Sequence, residues 1–159
     1  MIFFTGVELG QGLHTKIVSI ATEVLGCDIN RVRIRETATD KVPNTSATAG
    51  SVSTDINGMA VRNACEQLRE RLNTLLIDDK TNISWEDLIE KAYNARIDLC
   101  AHGFYATPGI FSADFTQNRA NFNYFTQGAV VTEVELDTLT GDWHILRVDI
   151  LMVCMIIFI

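Results

Sequence analysis

The sequence contains no closely spaced pair of cysteines and has fewer basic than acidic residues. Its cysteines form no C-x-x-C pair, so neither a zinc site nor a redox pair is indicated, and buried reduced thiols are expected at all four positions: Cys27, Cys65, Cys100 and Cys154. The 13 basic residues against 20 acidic ones give a net charge of −7. This balance argues against a nucleic acid partner, because binding to phosphate backbones is dominated by lysine and arginine.

Signals for membrane insertion and secretion are also lacking. The most apolar run, residues 150–159, has ten residues, whereas a transmembrane helix needs about 20. No charged segment followed by an apolar run and a cleavage site opens the chain. We therefore expect a cytoplasmic protein with no membrane partner. The 47% apolar content and only two prolines are typical of one packed domain.

Hydrophobic spacing predicts a mixed α/β chain. Apolar residues at helical spacing predict a helix over 12–25, a long helix with a stripe from Ile56 to Leu75, and a short helix over 84–95. Extended segments are predicted over 1–5 and 31–36, and β-favouring residues dominate from Ile97 onward. A turn at 138–142 should close a hairpin onto 143–152, with Glu133, Glu135 and Asp137 on its solvated face.

Two loops of small residues each lead into a predicted helix. These are Gly10-Gln11-Gly12 and the segment from Thr48 to Thr54. The N-terminus of a helix offers unpaired N–H groups and a partial positive charge, so small residues there allow an anion to approach the backbone. Simple helix capping explains the same pattern. Neither loop contains lysine or arginine, and the nearby Glu8 would repel an anion unless its side chain pointed away.

Motifs for other chemistry are missing. The chain contains no G-x-x-x-x-G-K-[ST], no G-x-G-x-x-G and no H-E-x-x-H sequence. Its three histidines, His14, His102 and His144, are far apart in the sequence and are expected to be ordinary surface or core residues. No metal site is therefore predicted.

Several long segments resemble one enzyme family. Gly6-Val7-Glu8-Leu9-Gly10-Gln11-Gly12-Leu13-His14-Thr15-Lys16 resembles the cofactor segment of xanthine dehydrogenases and of their aldehyde oxidase relatives. The segments 36–46, 48–55, 103–108 and 133–142 follow in the order that the family has them. The resemblance covers residues 4–152, so 1–152 is expected to be part of a molybdopterin-binding domain and 153–159 an apolar tail outside the family.

The resemblance implies helices packed on a mixed or antiparallel sheet, and a molybdopterin cofactor held by the two loops. The positions that match the surroundings of the pterin, its phosphate and the molybdenum ligands are Gly10, Gln11, Thr48, Ala49, Gly50, Ser51, Ser53 and Thr54. The implied parent enzyme is a homodimer that oxidises hypoxanthine and xanthine to urate with oxygen from water. Its electrons pass through 2Fe-2S clusters and FAD to NAD.

The resemblance also implies what this chain does not supply. The family's glutamate base lies in a Gly-Glu-Pro segment that does not occur here, and the cluster and flavin domains have no counterpart. No catalytic residue is therefore expected in this chain, and it should be inactive alone. Two alternatives remain open: a part of an aldehyde oxidase, and a non-catalytic module that binds the cofactor. The Gly103-Phe104-Tyr105-Ala106-Thr107-Pro108 run favours xanthine dehydrogenase over aldehyde oxidase.

Overall fold

The computed structural model describes residues 1–76, 83–109 and 124–153. The chain divides into two compact units, Met1–Ala106 with the helices and Thr107–Ile159 with a β-hairpin. Within the described residues the elements are α1 (Leu13–Leu25), a 3₁₀ turn (Ile29–Arg31), α2 (Ser53–Asn73), α3 (Trp85–Asn94), β1 (Gly128–Leu136) and β2 (Trp143–Met152). The combination of helices with an antiparallel pair of strands confirms the predicted mixed α/β class.

The first helix, α1, forms where the apolar spacing predicts it. Leu13, Ile17 and Ala21 recur every four residues and are buried along one face. The helix ends at Gly26, whose φ of 68° lies in the left-handed region and whose N–H donates to the carbonyl of Thr22. The predicted range of 12–25 is therefore confirmed to within one residue.

The core of the first unit lies between α1 and α2. The buried residues that form it are Phe4, Leu13, Ile17, Ala21, Val32, Val61 and Cys65. Gly58 of α2 lies against Ile20 of α1, and a Cβ at this glycine would meet the Ile20 Cδ1 atom at 2.8 Å. The missing side chain therefore lets the two helices approach closely.

The third helix, α3, begins at the predicted cap. The hydroxyl of Ser84 accepts a hydrogen bond from the backbone N–H of Asp87, which satisfies one donor of the first turn. Leu88 and Ala92 are buried against Leu72 of α2 and form a second, smaller apolar cluster. This short helix is thus held by its cap and by one apolar face.

The prediction of strands over 1–5 and 31–36 is wrong. Only Ile2 and Ile34 pair, in a single parallel bridge in which the Ile2 amide donates to Arg33 and its carbonyl accepts from Arg35. Arg31 instead closes the 3₁₀ turn. The alternation of basic and apolar residues reflects burial, since Val32 is buried and its neighbours are exposed. A ladder needs several paired residues, and here one pair forms.

The hairpin of the second unit confirms the predicted turn. The carboxylate of Asp137 accepts hydrogen bonds from the backbone N–H groups of Leu139 (2.8 Å) and Thr140 (3.3 Å). These two bonds stabilise the charged form and lower the pKa of Asp137. Gly141 follows with a φ of 82°, a left-handed conformation that suits glycine. Asp137 therefore belongs to the turn and not to the strand face on which it was predicted.

The two faces of the hairpin differ in chemistry. The apolar face is formed by the cross-strand pairs Val130–Ile150, Val134–Ile145 and Leu136–Trp143. The polar face carries the pairs Glu133–Arg147 and Glu135–His144. Side chains on both faces are exposed, so the charges of Glu133 and Glu135 are solvated as predicted.

The cysteines differ from one another in exposure. Cys65 is buried, and burial raises the pKa of its thiol to about 11. Cys27 is half-buried, whereas Cys100 is exposed, so the expectation that it is buried is wrong. All three thiols are free. Cys154, most of the tail predicted over 153–159, and the β-favouring segment 110–123 lie outside the described residues.

Gly103 is predicted to be required for packing against α2. A Cβ at this position would overlap the carbonyl oxygen of Ala60 and lie 2.9 Å from the amide nitrogen of Ala64. Gly103→Ala should therefore lower the free energy of unfolding by about 1–3 kcal/mol, measured by denaturant titration. The neighbouring exposed His102→Ala should change it by less than about 0.5 kcal/mol. Equal stabilities of the two variants would contradict this packing.

Candidate functional site

The carboxylate of Glu8 folds back onto the N-terminus of α1. Its Oε1 atom accepts from the backbone N–H groups of Gly10 (2.8 Å) and Gly12 (2.9 Å), and its Oε2 atom accepts from that of His14 (2.9 Å). Hydrogen bonds to the charged form, led by the one from His14, lower the pKa of Glu8. A negative charge at this end of the helix also complements the helix dipole.

This contact bears on the two interpretations of the first loop, an approach for an external anion and simple capping of the helix. The backbone amides of Gly10, Gly12 and His14 donate to the protein's own carboxylate. Capping, by Glu8, therefore describes this loop. An external anion must therefore find its donors elsewhere.

The side chain of Gln11 fixes the shape of the first loop. Its Oε1 atom accepts from the Leu9 amide at 2.6 Å, and its Nε2 atom donates to the Val7 carbonyl at 2.8 Å. The amide of Val7 in turn donates to the Thr48 hydroxyl at 2.9 Å. This last bond joins two loops that are 41 residues apart in the sequence.

The second loop leads into α2 through two left-handed residues. Gly50 has a φ of 62° and Ser51 a φ of 57°. The helix then begins at Ser53 with Val52 at its cap position, and the Val52 side chain accepts no hydrogen bond from the first turn. The first turn also carries one carboxylate, that of Asp55.

Ser53 is a buried polar residue at the start of this helix. It is only 9% exposed, and its hydroxyl has no hydrogen-bond partner among the residues that the structure describes. Its carbonyl accepts from the side-chain amide of Asn57, which holds the first turn in place. The hydroxyl lines a cavity and can both donate and accept hydrogen bonds, so it is suited to a ligand.

The two loops and the starts of α1 and α2 enclose one cavity of about 370 Å³. It is lined by Leu9, Gln11, Leu13, Lys16, Thr48, Ala49, Gly50, Ser51, Ser53 and Thr54. Seven of the eight residues predicted as a cofactor site are in this lining. Gly10 is not, and its amide donates to Glu8 instead.

Lys16 is a lining residue that sequence reasoning missed. Neither of the two loops contains a basic residue, whereas Lys16 lies at the end of the first turn of α1. The signal that could have found it is helical spacing, because a residue in the first turn of a helix can reach the loop that precedes it.

A second cavity of about 370 Å³ adjoins the first through shared lining residues, Thr48 and Ser53. Its other walls are the loop of residues 42–47, the middle of α2 and the segment 102–106. Among its lining side chains, the polar ones are hydroxyls, amides and the His102 imidazole. The loop of residues 48–53 thus has a cavity on either side.

The histidines do not form a cluster. The ring of His14 packs edge-on against Phe4, with 5.3 Å between the ring centres, and its buried Nε2 atom has no partner in the described structure. In the described ranges, no group of three histidine, cysteine, aspartate or glutamate side chains is arranged to hold a metal ion. No helix in these ranges is long and apolar enough to cross a membrane.

The chemistry of the first cavity is that of a binding site. Its lining supplies hydroxyls, backbone amides, one carboxamide and one ammonium group, all of which can donate hydrogen bonds. Its described lining residues include no aspartate, glutamate, histidine or cysteine, so they offer no proton acceptor of the kind that general base catalysis uses. The arrangement can hold a polar, anionic ligand.

Comparison with known proteins gives consistent matches. The sequence profile of the molybdopterin cofactor-binding domain matches residues 1–154, two residues beyond the predicted boundary. The chain is 51% identical to a xanthine dehydrogenase of Emericella nidulans over 148 residues and 48% identical to one of Drosophila pseudoobscura over the same length. A xanthine dehydrogenase/oxidase of Gallus gallus is 47% identical over 150 residues. Each alignment covers 92% of this chain and 11% of the relative, so the chain spans about a tenth of their length.

Replacement of Glu8 is predicted to loosen the start of α1. The neutral amide of Glu8→Gln has a single acceptor oxygen in place of a charged carboxylate, so the Gly12 and His14 amides should lose protection from hydrogen exchange. In the unaltered chain, the lowered pKa means that this protection is present above the ordinary carboxyl pKa of about 4.3 and is lost as the pH falls through the pKa of Glu8. The variant should lack this pH dependence.

A matched control is available on the same helix. Glu23 is exposed near the C-terminus of α1, and Glu23→Gln removes the same charge without touching the loop. It should leave the protection of the Gly12 and His14 amides unchanged. Unchanged protection in Glu8→Gln as well would show that its carboxylate does not hold the loop.

Proposed function

Because the chain belongs to the family of molybdopterin cofactor-binding domains, we propose that the cavity between its first loop and the start of α2 contacts molybdopterin. The single observation that carries this proposal is the convergence of Gln11 with six residues of the second loop on one cavity. The hydroxyl of Ser53, a residue that is only 9% exposed, lies in the same lining and supports it further. These are donor groups that fit the phosphate and the polar pterin edge of that cofactor.

The residues of the chain have distinct tasks in this proposal. The first-turn amides of α2 and the hydroxyls of Ser51, Ser53 and Thr54 donate to the anionic part of the ligand. Gly50 and Ala49 keep the backbone accessible because their side chains are absent or small. When bound, the cofactor supplies the molybdenum centre that carries the redox chemistry. The chain itself binds and orients this group.

The relatives of the chain place it in an oxidoreductase family, that of the xanthine dehydrogenases. Our proposal goes further and takes the chain as part of a molybdenum hydroxylase that oxidises hypoxanthine and xanthine to urate in purine catabolism. Water supplies the oxygen, NAD is the final electron acceptor, and the complete enzyme is a cytoplasmic homodimer. The 2Fe-2S clusters and FAD are bound by other parts of that enzyme.

The composition of the cavity supports a division of tasks in that enzyme. Its lining offers donors and one cation but no general base. The chain then contributes cofactor binding, and the proton acceptor for the hydroxylation belongs to another segment. By itself the chain is expected to bind molybdopterin without oxidising purines. An aldehyde oxidase origin is disfavoured because the relatives compared above are named xanthine dehydrogenases.

The proposal is tested by cofactor content. The chain is produced in a host that makes molybdopterin, and the bound pterin is measured by its fluorescence after acid release. Gln11→Ala removes the loop-shaping carboxamide and Ser51→Ala removes a lining hydroxyl, so each should lower the pterin content several-fold. The loss of one good hydrogen bond corresponds to about 0.5–1.5 kcal/mol.

Ser19→Ala is the matched control for this experiment. Ser19 is an exposed serine of α1 that does not line the cavity, so its replacement should leave the pterin content unchanged. Helix content by circular dichroism confirms that each variant is folded. Full pterin content in both Gln11→Ala and Ser51→Ala would exclude this cavity as the cofactor site.

A further inference from the structure

Among the described residues that line the proposed cofactor cavity, Lys16 is the one with a formal charge. It lies in the first turn of α1, is exposed, and shares the lining with Ser51, Ser53 and Thr54 at the start of α2. No carboxylate is part of that lining. The Glu8 carboxylate, which precedes α1, accepts from three backbone amides at the N-terminus of that helix.

The ammonium group of Lys16 is uncommitted, in contrast to most other basic residues. Within the described parts of the chain it forms no ion pair and no side-chain hydrogen bond. Carboxylates pair with Arg31, Lys41, Arg62, Arg71 and Arg147. Backbone carbonyls accept from Arg33, Arg69 and Lys91. The chain has a net charge of −7, so most of its basic groups have a carboxylate or carbonyl nearby. A lysine that lines a cavity and has no such partner is available to bind an anion there.

We infer that Lys16 provides the ionic contact for the phosphate of the bound pterin cofactor, opposite the amides of α2. This inference rests on the proposed function and adds the residue that selects an anionic ligand. Ser53 points to the same place independently, because this residue is only 9% exposed, lines the cavity and forms no side-chain hydrogen bond with the described residues. A lysine contributes three donors and a full charge, which amides and hydroxyls alone do not.

The inference has a consequence that depends on ionic strength. Lys16 is solvent-exposed, so its attraction to a phosphate is screened by salt, over a Debye length of about 10 Å at 0.1 M and about 3 Å at 1 M. Hydrogen bonds from neutral groups lack this dependence. The contribution of Lys16 can therefore be separated from that of the serine hydroxyls by varying the salt concentration.

The experiment measures how fast the chain releases its pterin. The full chain is purified with molybdopterin from a host that makes it, diluted into buffer, and the released pterin is followed by fluorescence. Lys16→Gln should release it about tenfold faster than the unaltered chain at low salt, because loss of an interface contact is expressed mainly in the dissociation rate. The difference should shrink at 1 M salt, since screening removes the contact from the unaltered chain too.

Two control variants accompany this measurement. Lys16→Arg keeps the charge and should release pterin within about twofold of the unaltered rate. Lys41→Gln makes the same chemical change at a lysine outside the cavity and should have no effect.

Three results would overturn the inference. One is an unchanged rate in Lys16→Gln, and another is an unaltered chain whose release does not depend on salt. A purified unaltered chain without pterin would overturn the proposed function together with the inference, so the two failures are distinguishable. The salt dependence of pterin release is measured on the unaltered chain. This test therefore remains valid even where a substitution disturbs folding.

Discussion

The hydrogen bonds that Glu8 accepts at the N-terminus of α1 determine how this site is built. Three backbone amides converge on one carboxylate, and the loop between Glu8 and α1 closes around them. The closed loop then presents the Val7 amide to the Thr48 hydroxyl, which ties the second loop to the first. The cavity exists because these two loops are held together. Its geometry therefore depends on the charge of Glu8, although Glu8 does not line the cavity.

The two helix starts consequently have different tasks. Both α1 and α2 begin after a loop of small residues, and the sequence pattern treats the two loops as equivalent. In the structure, the Glu8 carboxylate accepts from the first amides of α1, whereas the cap position of α2 is Val52, whose side chain accepts no hydrogen bond, and Ser53 follows it in the cavity lining. The start of α2 is therefore the helix start that lines the cavity of the proposed function. Under that proposal, a chain of net charge −7 would bind an anionic ligand without a basic patch.

Local sequence signals predicted most of the elements, and the misses share a physical cause. The bounds of α1, the Ser84 cap and the turn at Asp137 depend on residues close together in the chain, so the sequence contains the necessary information. The strand predicted over 31–36 depends on a distant partner, and only Ile34 finds one. The family resemblance implied eight site residues, of which seven line the cavity. The involvement of Lys16 and the orientation of Glu8 were missed for the same reason as the strand. Both depend on how a side chain crosses from one element to its neighbour.

The rigidity of the cavity follows from the core beneath it. Leu13 belongs to both, since it is fully buried between the helices and also lines the cavity. Above it, the first loop passes closely at Gly6, where a Cβ would meet the Leu13 Cδ2 atom at 2.6 Å and the Asn57 side chain at 3.0 Å. Asn57 in turn holds the carbonyl of Ser53. Because close-packed cores resist displacement, the packing that joins α1 to α2 also fixes the separation between Lys16 and the first turn of α2. Preorganisation of this kind lowers the entropic cost of ordering donors around a ligand, which is the property that the proposed cofactor site requires.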